Sequence, residues 1–172
     1  MAWLTDDDFD ALFDSYDHTA FRLETRESYL GVAYEPKPYR RFIAGEPDDG
    51  EWMEPWLKGV RARTALGKTM HRVRVVNRPP SDYTRFSLTT CQRWNIPAGE
   101  DIRYLDRSDA DGLPKHDFWL FDSRHLYLMH YDEQDAPLGA ELIEDTAAIV
   151  EHNYFRDLAW HLAVPPVQFR VD

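Results

Sequence analysis

Histidine is the residue type in this chain best suited to acid–base, nucleophilic or metal chemistry, and the chain contains seven of them. A zinc site needs three or four converging ligands, and two histidines four positions apart on a helix are its usual sign. His125 and His130 lie on one predicted strand but face opposite sides of it, because side chains alternate along a strand. His152 and His161 lie about half a turn out of phase on one predicted helix. The spacing therefore predicts no metal site.

Other residue types that commonly support catalysis lack the surroundings that catalysis needs. Asp117 and Asp122 are predicted to face opposite sides and to end a strand rather than to form an acid–base pair. Gly59 and Gly67 lack the Lys-Ser/Thr continuation of a phosphate-binding loop. Cys91, the only cysteine, is expected in the core, and a chain that forms no internal disulfide suits a reducing cytoplasm. These patterns favour a protein that is not an enzyme and needs no cofactor.

Two predicted strands carry arginines at alternating positions. Arg22 and Glu24 share one face of the first strand, and Arg72 and Arg74 share one face of the second. We expect them to form buried ion pairs or, alternatively, to line a pocket for an anionic ligand. With the two arginines of a short helical turn added, the candidate interaction or ligand residues are Arg22, Glu24, Arg40, Arg41, Arg72 and Arg74.

The charge balance of the chain restricts its partners. A formal net charge of −11 argues against direct binding to nucleic acid or to an anionic membrane, because phosphate contacts need clustered Lys and Arg. The negative net charge is compatible with a basic protein partner. The apolar fraction of 43% supports a folded core, and no apolar run approaches the roughly 20 residues of a membrane span. The acidic first residues lack the features of a signal peptide, so we expect a soluble, cytoplasmic protein.

Hydrophobic periodicity predicts a mixture of helices and strands along the chain. Helices are expected from Thr5 to Tyr16, over one turn from Tyr39 to Ile43, from Glu51 to Leu66, and from Pro79 to Trp94. Strands are expected at 20–24, 69–76, 102–105, 116–121, 125–131 and 139–143, with a tight polar turn at 122–124.

The last helix is predicted to begin at the capping residue Asp145 and to end before Pro165-Pro166. Its apolar residues are expected to face inward, namely Ile149, Val150, Tyr154, Leu158 and Leu162.

The order of these elements predicts the fold class. A strand–helix–strand step from residue 69 favours a parallel pair with a right-handed crossover, and the hairpin after it adds antiparallel strands. We therefore predict an α/β (α+β) protein with a layered mixed sheet flanked by helices. One domain is expected over residues 1–172, with an N-terminal helical extension at 1–68 and an α/β core at 69–164.

Several segments resemble an actinobacterial family catalogued as a domain of unknown function, and the resemblance spans about the whole chain. They are 9–24, 40–47, 72–76, 81–83, 98–103 and 116–123. Members of that family are commonly encoded beside Xre-type helix-turn-helix regulators and a small companion protein, in clusters tied to development and secondary metabolism. The resemblance therefore implies a regulatory setting.

Residues 69–162 are also similar in layout to half of a phospholipase D-like α/β unit. Enzymes with that architecture carry a His-x-Lys-x-x-x-x-Asp motif. Here His116 stands at the histidine position, but Phe118 replaces the lysine and Ser123 replaces the aspartate. The likeness implies a degenerate unit in which His116 is the one weak catalytic candidate.

Three functions follow as hypotheses. The first is a non-catalytic accessory protein that binds a helix-turn-helix regulator or its companion, with 9–24 and 40–49 as candidate contact surfaces. The second is a sensor of a small ligand or nucleotide, for which a concave pocket lined by arginine is expected. The third is a divergent phosphodiesterase-like hydrolase, which requires an exposed His116 beside another histidine and a cation.

Overall fold

A six-stranded mixed sheet forms the centre of the computed structural model, which describes residues 3–4, 6–31 and 35–170. The strands are β1 (Thr19–Glu24), β2 (Thr69–Val76), β3 (Asp101–Asp106), β4 (Phe118–Phe121), β5 (His125–Tyr131) and β6 (Pro137–Ile143). Their spatial order is β3-β2-β1-β4-β5-β6. The pairs β1–β2 and β2–β3 are parallel, whereas β4, β5 and β6 add in antiparallel fashion. The predicted mixed sheet is therefore confirmed.

Six α-helices flank this sheet within the described residues. They are α1 (Asp6–Ser15), α2 (Pro36–Ile43), α3 (Glu54–Ala65), α4 (Asp82–Thr90), α5 (Ile96–Ala98) and α6 (Thr146–Leu162). A π-helical segment, Cys91–Asn95, joins α4 to α5, and Gly99 ends this run with a φ of 112°. None of the described helices combines the length and the apolar character that crossing a membrane requires.

The two faces of the sheet are covered by different helices. Ala20 of β1 and Trp119 of β4 pack with Phe13 of α1 and Val60 of α3, so we call this side the arginine face, after the residues described below. On the opposite side, the α6 face, Leu23 of β1 packs with Ala159 and its neighbours on α6. Because strand side chains alternate, each strand contributes to both layers.

The β4–β5 hairpin is linked to the start of β1 through one side chain. Asp122 and Ser123 of the three-residue connection 122–124 have positive φ of 50° and 60°, the conformation of the two central residues of a type I′ turn. The Asp122 carboxylate accepts hydrogen bonds from the backbone N–H groups of Asp17, His18 and Thr19 at 2.7, 2.7 and 2.9 Å. This side chain therefore sets the position of β1 against the hairpin.

The structure corrects two expectations from the sequence. First, the sheet is not confined to residues 69–164, because β1 lies in its middle, between β2 and β4. The first 68 residues thus supply a central strand as well as helices. Second, the predicted inward face of α6 is wrong at three positions, because Val150, Tyr154 and Leu162 are 65%, 61% and 36% exposed. The buried residues of α6 are His152 and Ala159, which face the sheet.

Candidate functional site

The candidate site begins with Arg72, whose guanidinium lies between two carboxylates on the arginine face. Its Nη1 donates to Glu24 Oε1 at 2.7 Å. Its Nε and Nη2 donate to Glu100 Oε1, just before β3, at 2.9 and 2.6 Å. All three residues are at least 90% buried. Charge-assisted hydrogen bonds of this kind offset the large cost of removing the ions from water.

Two further arginines converge on the same Glu24 carboxylate. Arg74 donates from Nε to Glu24 Oε2 at 2.6 Å and from Nη1 to the Tyr104 hydroxyl at 3.1 Å. Arg22 Nε lies 3.1 Å from Glu24 Oε1. Burial alone would raise the pKa of the Glu24 carboxyl, but the three arginines outweigh it and hold that pKa well below its usual range.

Asp117 completes this network from the start of β4. Its carboxylate accepts hydrogen bonds from the Thr25 backbone N–H at 2.7 Å, from the Thr25 hydroxyl at 2.9 Å and from the Tyr29 hydroxyl at 2.6 Å. The Tyr131 hydroxyl also donates to it at 3.2 Å, and Arg22 Nη2 lies 3.8 Å away. Burial, followed by the nearby Asp117 carboxylate, raises the pKa of the Tyr29 hydroxyl well above its ordinary value.

The sequence predicted part of this network. Arg22, Glu24, Arg72 and Arg74 lie together on one face, as their alternation indicated. Sequence reasoning assigned Asp117 to the end of a strand and gave Glu100 no role. Both are joined to the arginines through tertiary contacts that no local pattern reveals. Their burial also means that Glu24 and Arg72, at 2% and 8% exposed, have almost no surface to offer to a protein partner.

Arg40 and Arg41 do not belong to this network. They lie in the last turn of α2, where Arg40 is exposed. Arg41 donates to the Pro47 carbonyl and lies 3.5 Å from the Glu46 carboxylate. These two arginines therefore mark a separate surface. In the other predicted contact segment, 9–24, most of the strand portion 19–24 is buried in the sheet.

The α6 face holds a pair of histidines in direct contact. His116 Nε2 and His152 Nε2 are 2.9 Å apart, and His152 Nδ1 lies 2.8 Å from the Ala148 carbonyl. Because a carbonyl only accepts, His152 carries its proton on Nδ1, and His116 Nε2 donates to His152 Nε2. Burial, followed by the neighbouring His152, lowers the pKa of His116 below its ordinary value.

This pair meets part of what a histidine-based hydrolase needs. His116 is exposed and lies beside another histidine. Within the described part of the chain, the neighbouring groups that most affect the pKa of His116 are His152, Asp117, Glu151 and His130, and this set includes no lysine or arginine. Over the described ranges, no group of three or more His, Cys, Asp or Glu side chains is placed to hold a metal ion.

A cleft of about 670 Å³ opens where the beginnings of β1 and β2 meet the last turns of α6. Its walls include Arg103 and Arg156, together with His71 and Trp160. The Arg103 guanidinium lies 3.8 Å from the centroid of the Trp160 ring, and the His71 ring stacks on that ring at 4.5 Å. None of the candidate arginines from the sequence is among the described residues that line this cleft.

The comparisons with known proteins place the whole fold in one family. A family model described as Domain of unknown function (DUF6879) matches residues 7–171, so the chain belongs to that family. No curated protein shows significant similarity to the chain.

Proposed function

We propose that this member of the DUF6879 family is a non-catalytic accessory protein that binds a basic protein partner. The partner is an Xre-type helix-turn-helix regulator or its small companion protein, in the cytoplasm. The identity of the partner comes from the resemblance of the sequence to an actinobacterial family encoded beside such regulators. The basic character of the partner is inferred from the acidic composition of this chain itself.

One observation carries this proposal: the charge of the buried network is balanced. The three arginines Arg22, Arg72 and Arg74 are matched by the three carboxylates of Glu24, Glu100 and Asp117. The network thus contributes no net charge, and the formal charge of −11 is carried by the rest of the chain. A chain with this excess of acidic residues outside the buried network attracts a basic partner, raises the rate of association with it and disfavours nucleic acid.

The state of the potentially reactive groups supports the same proposal. The network arginines are occupied by carboxylates and tyrosine hydroxyls, and the Cys91 thiol is buried, which raises its pKa. A thiol in that state is a poor nucleophile. The network arginines therefore have a structural role in the sheet, and the Cys91 thiol is not poised for catalysis.

Co-expression with Xre-type regulators from the same genome tests the proposal. We expect a stoichiometric complex on size exclusion that dissociates as the salt concentration rises, because screening weakens attraction between surface charges. A regulator of the same fold with an acidic surface is the matched control and is expected not to co-elute. If no basic regulator forms a complex, the proposed function is wrong.

The histidine pair favours one second candidate, a phosphodiesterase-like hydrolase. Its support is the 2.9 Å contact of an exposed His116 with His152, together with the likeness in layout to half of a phospholipase D-like unit. Turnover of bis(p-nitrophenyl) phosphate that is lost in His116→Ala and retained in His125→Ala would favour this candidate. Equal rates in the two variants would show that any turnover comes from a contaminant.

A further inference from the structure

The outer side of α6 carries an apolar row that is exposed at three of its four positions, the fourth, Leu158, lying near the loop at Gly112. Val150 and Tyr154 are 65% and 61% exposed, and Leu162 is 36% exposed. With the half-buried Leu158 between them, these residues follow one another at intervals of four positions. Residues four apart lie next to each other on a helix surface, so the row is continuous. Scattered exposed apolar residues are ordinary, but a continuous row indicates a binding surface.

Acidic residues flank this row along the same helix. Glu144 and Asp145 lie at its beginning, and Glu151 and Asp157 lie beside it, all of them exposed. The one arginine of α6, Arg156, is already occupied, because it donates to Asp157 Oδ1 at 2.8 Å and to Ser123 Oγ at 2.7 Å. The α6 surface therefore combines an apolar centre with an acidic border.

We propose that this surface, the α6 row, binds an amphipathic helix of the partner protein whose apolar face is bordered by lysine and arginine. The inference rests on the proposed function and names the surface and the partner chemistry. Helix α6 has 17 residues, which corresponds to a length of about 25 Å and offers several turns for packing. Apolar residues of the partner helix contact Val150 and Tyr154, and its basic residues pair with Glu151, whereas Asp157 is already paired with Arg156.

The charges on α6 distinguish this partner from a second copy of the chain. A second copy carries the same acidic residues beside its own α6, so two α6 surfaces offer each other no complementary charge. Like charges in such an interface cost free energy and select against the pairing. A basic helix meets the same acids with attraction, so charge complementarity favours it.

Two probes test the α6 row by fluorescence anisotropy. The first is a labelled synthetic peptide of about 18 residues, enough for five helical turns, with leucine on one face and lysine elsewhere. The second is the Xre-type regulator itself. We expect the double substitution Val150→Gln/Tyr154→Gln to weaken binding of the peptide by about tenfold or more, because it removes the apolar centre of the surface.

Leu66→Gln/Leu138→Gln is the matched control, since Leu66 and Leu138 are 76% and 48% exposed and lie outside α6 and outside the candidate contact segments 9–24 and 40–49. We expect it to change binding of either probe by less than about twofold, within the range of neutral surface contacts. An otherwise identical peptide with glutamate in place of lysine is expected not to bind. Circular dichroism of each variant checks that the helix content is unchanged.

The outcomes separate the α6 row from the proposed function. If the regulator binds and the α6 substitutions do not affect its binding, the α6 row is not the binding surface, and the proposed function stands. If the peptide binds through α6 but no regulator binds, the α6 row is a binding surface for basic amphipathic helices, and the proposed function is wrong. Sedimentation that shows a dimer of the chain, dissociated by the α6 substitutions, would assign the surface to a second copy and overturn the inference.

Discussion

Replacement of Glu24 by glutamine tests the buried network most severely. The Glu24 carboxylate accepts hydrogen bonds from Arg72 at 2.7 Å and from Arg74 at 2.6 Å, and Arg22 Nε lies 3.1 Å away. Glutamine has nearly the same shape but no charge, and its amide nitrogen donates. Glu24→Gln therefore leaves three positive guanidinium groups in a buried site without the carboxylate that they share.

The expected cost follows from the partners that stay in place. Removal of one member of a buried ion pair typically destabilises a protein by about 3–5 kcal/mol. Arg72 retains Glu100, whereas Arg74 retains only the Tyr104 hydroxyl. We therefore expect the free energy of unfolding to fall by about 3 kcal/mol, a large part of the roughly 5–15 kcal/mol that keeps a domain folded.

This loss depends on pH with a definite sign. Because the arginines outweigh burial and hold the folded pKa of Glu24 below its usual range, the carboxylate stabilises the fold above its unfolded pKa of about 4.3. That contribution decreases as the pH falls toward the folded pKa. The difference between the protein and Glu24→Gln is therefore constant near neutral pH and shrinks below about pH 4.

Urea unfolding followed by tryptophan fluorescence measures this difference at several pH values. Glu46→Gln is the control, because Glu46 is 57% exposed and pairs with Arg41 at the surface at 3.5 Å, where such pairs contribute about 0–1 kcal/mol. If Glu24→Gln lowers the free energy of unfolding no more than Glu46→Gln does, the buried arginines do not need the Glu24 charge. The proposed charge balance within the network would then be wrong.

Three further predictions concern single side chains. Asp122→Ala should lower the free energy of unfolding by about 1–2 kcal/mol in urea, because three backbone N–H groups lose their acceptor. A cost below 0.5 kcal/mol, about that of a neutral surface change, would contradict the link to β1. Asp145→Ala should lower the free energy of unfolding by about 1 kcal/mol in the same assay, because Asp145 Oδ2 accepts a hydrogen bond from the Ala148 N–H at 2.8 Å. An unchanged free energy of unfolding would show that this cap does not stabilise the start of α6. The Cys91 thiol should react with Ellman's reagent only on unfolding, as burial raises its pKa, and rapid reaction of the folded protein would show that it is accessible.

The local elements of the fold were predictable from the sequence because their signals are local. Alternating residues predicted β2, and the cap at Asp145 predicted the start of α6, whose Asp145 side chain accepts from Ala148 as expected. The turn at 122–124 was predicted from its polar residues, and the structure places Asp122 and Ser123 there with positive φ.

The placement of the elements relative to one another was harder to predict from the sequence. Nothing in residues 19–24 indicates that β1 lies between β2 and β4, because strand order depends on pairings between distant segments. The α6 error has a related cause. A row at Val150 and Tyr154 looks like an inward face, but the sheet contacts the helix along the His152 and Ala159 side. Periodicity identifies an apolar face without saying which neighbour covers it.

The candidate site was only partly predictable for the same reason. The arginines and Glu24 were identified by alternation on their strands, whereas Asp117 and Glu100 reach them from other segments. The contact of His116 with His152 joins positions that are 36 residues apart. Such contacts depend on the packing of α6 against β4, for which the sequence gives no local signal.

Calorimetric titration of the purified protein with a basic Xre-type regulator, at low and at high salt, tests the central claim most directly. The account predicts a one-to-one complex whose affinity decreases as salt screens the acidic surface. The same titration of Val150→Gln/Tyr154→Gln should show a large loss of affinity at both salt concentrations. Absence of heat at protein concentrations of tens of micromolar would contradict an accessory role in partner binding.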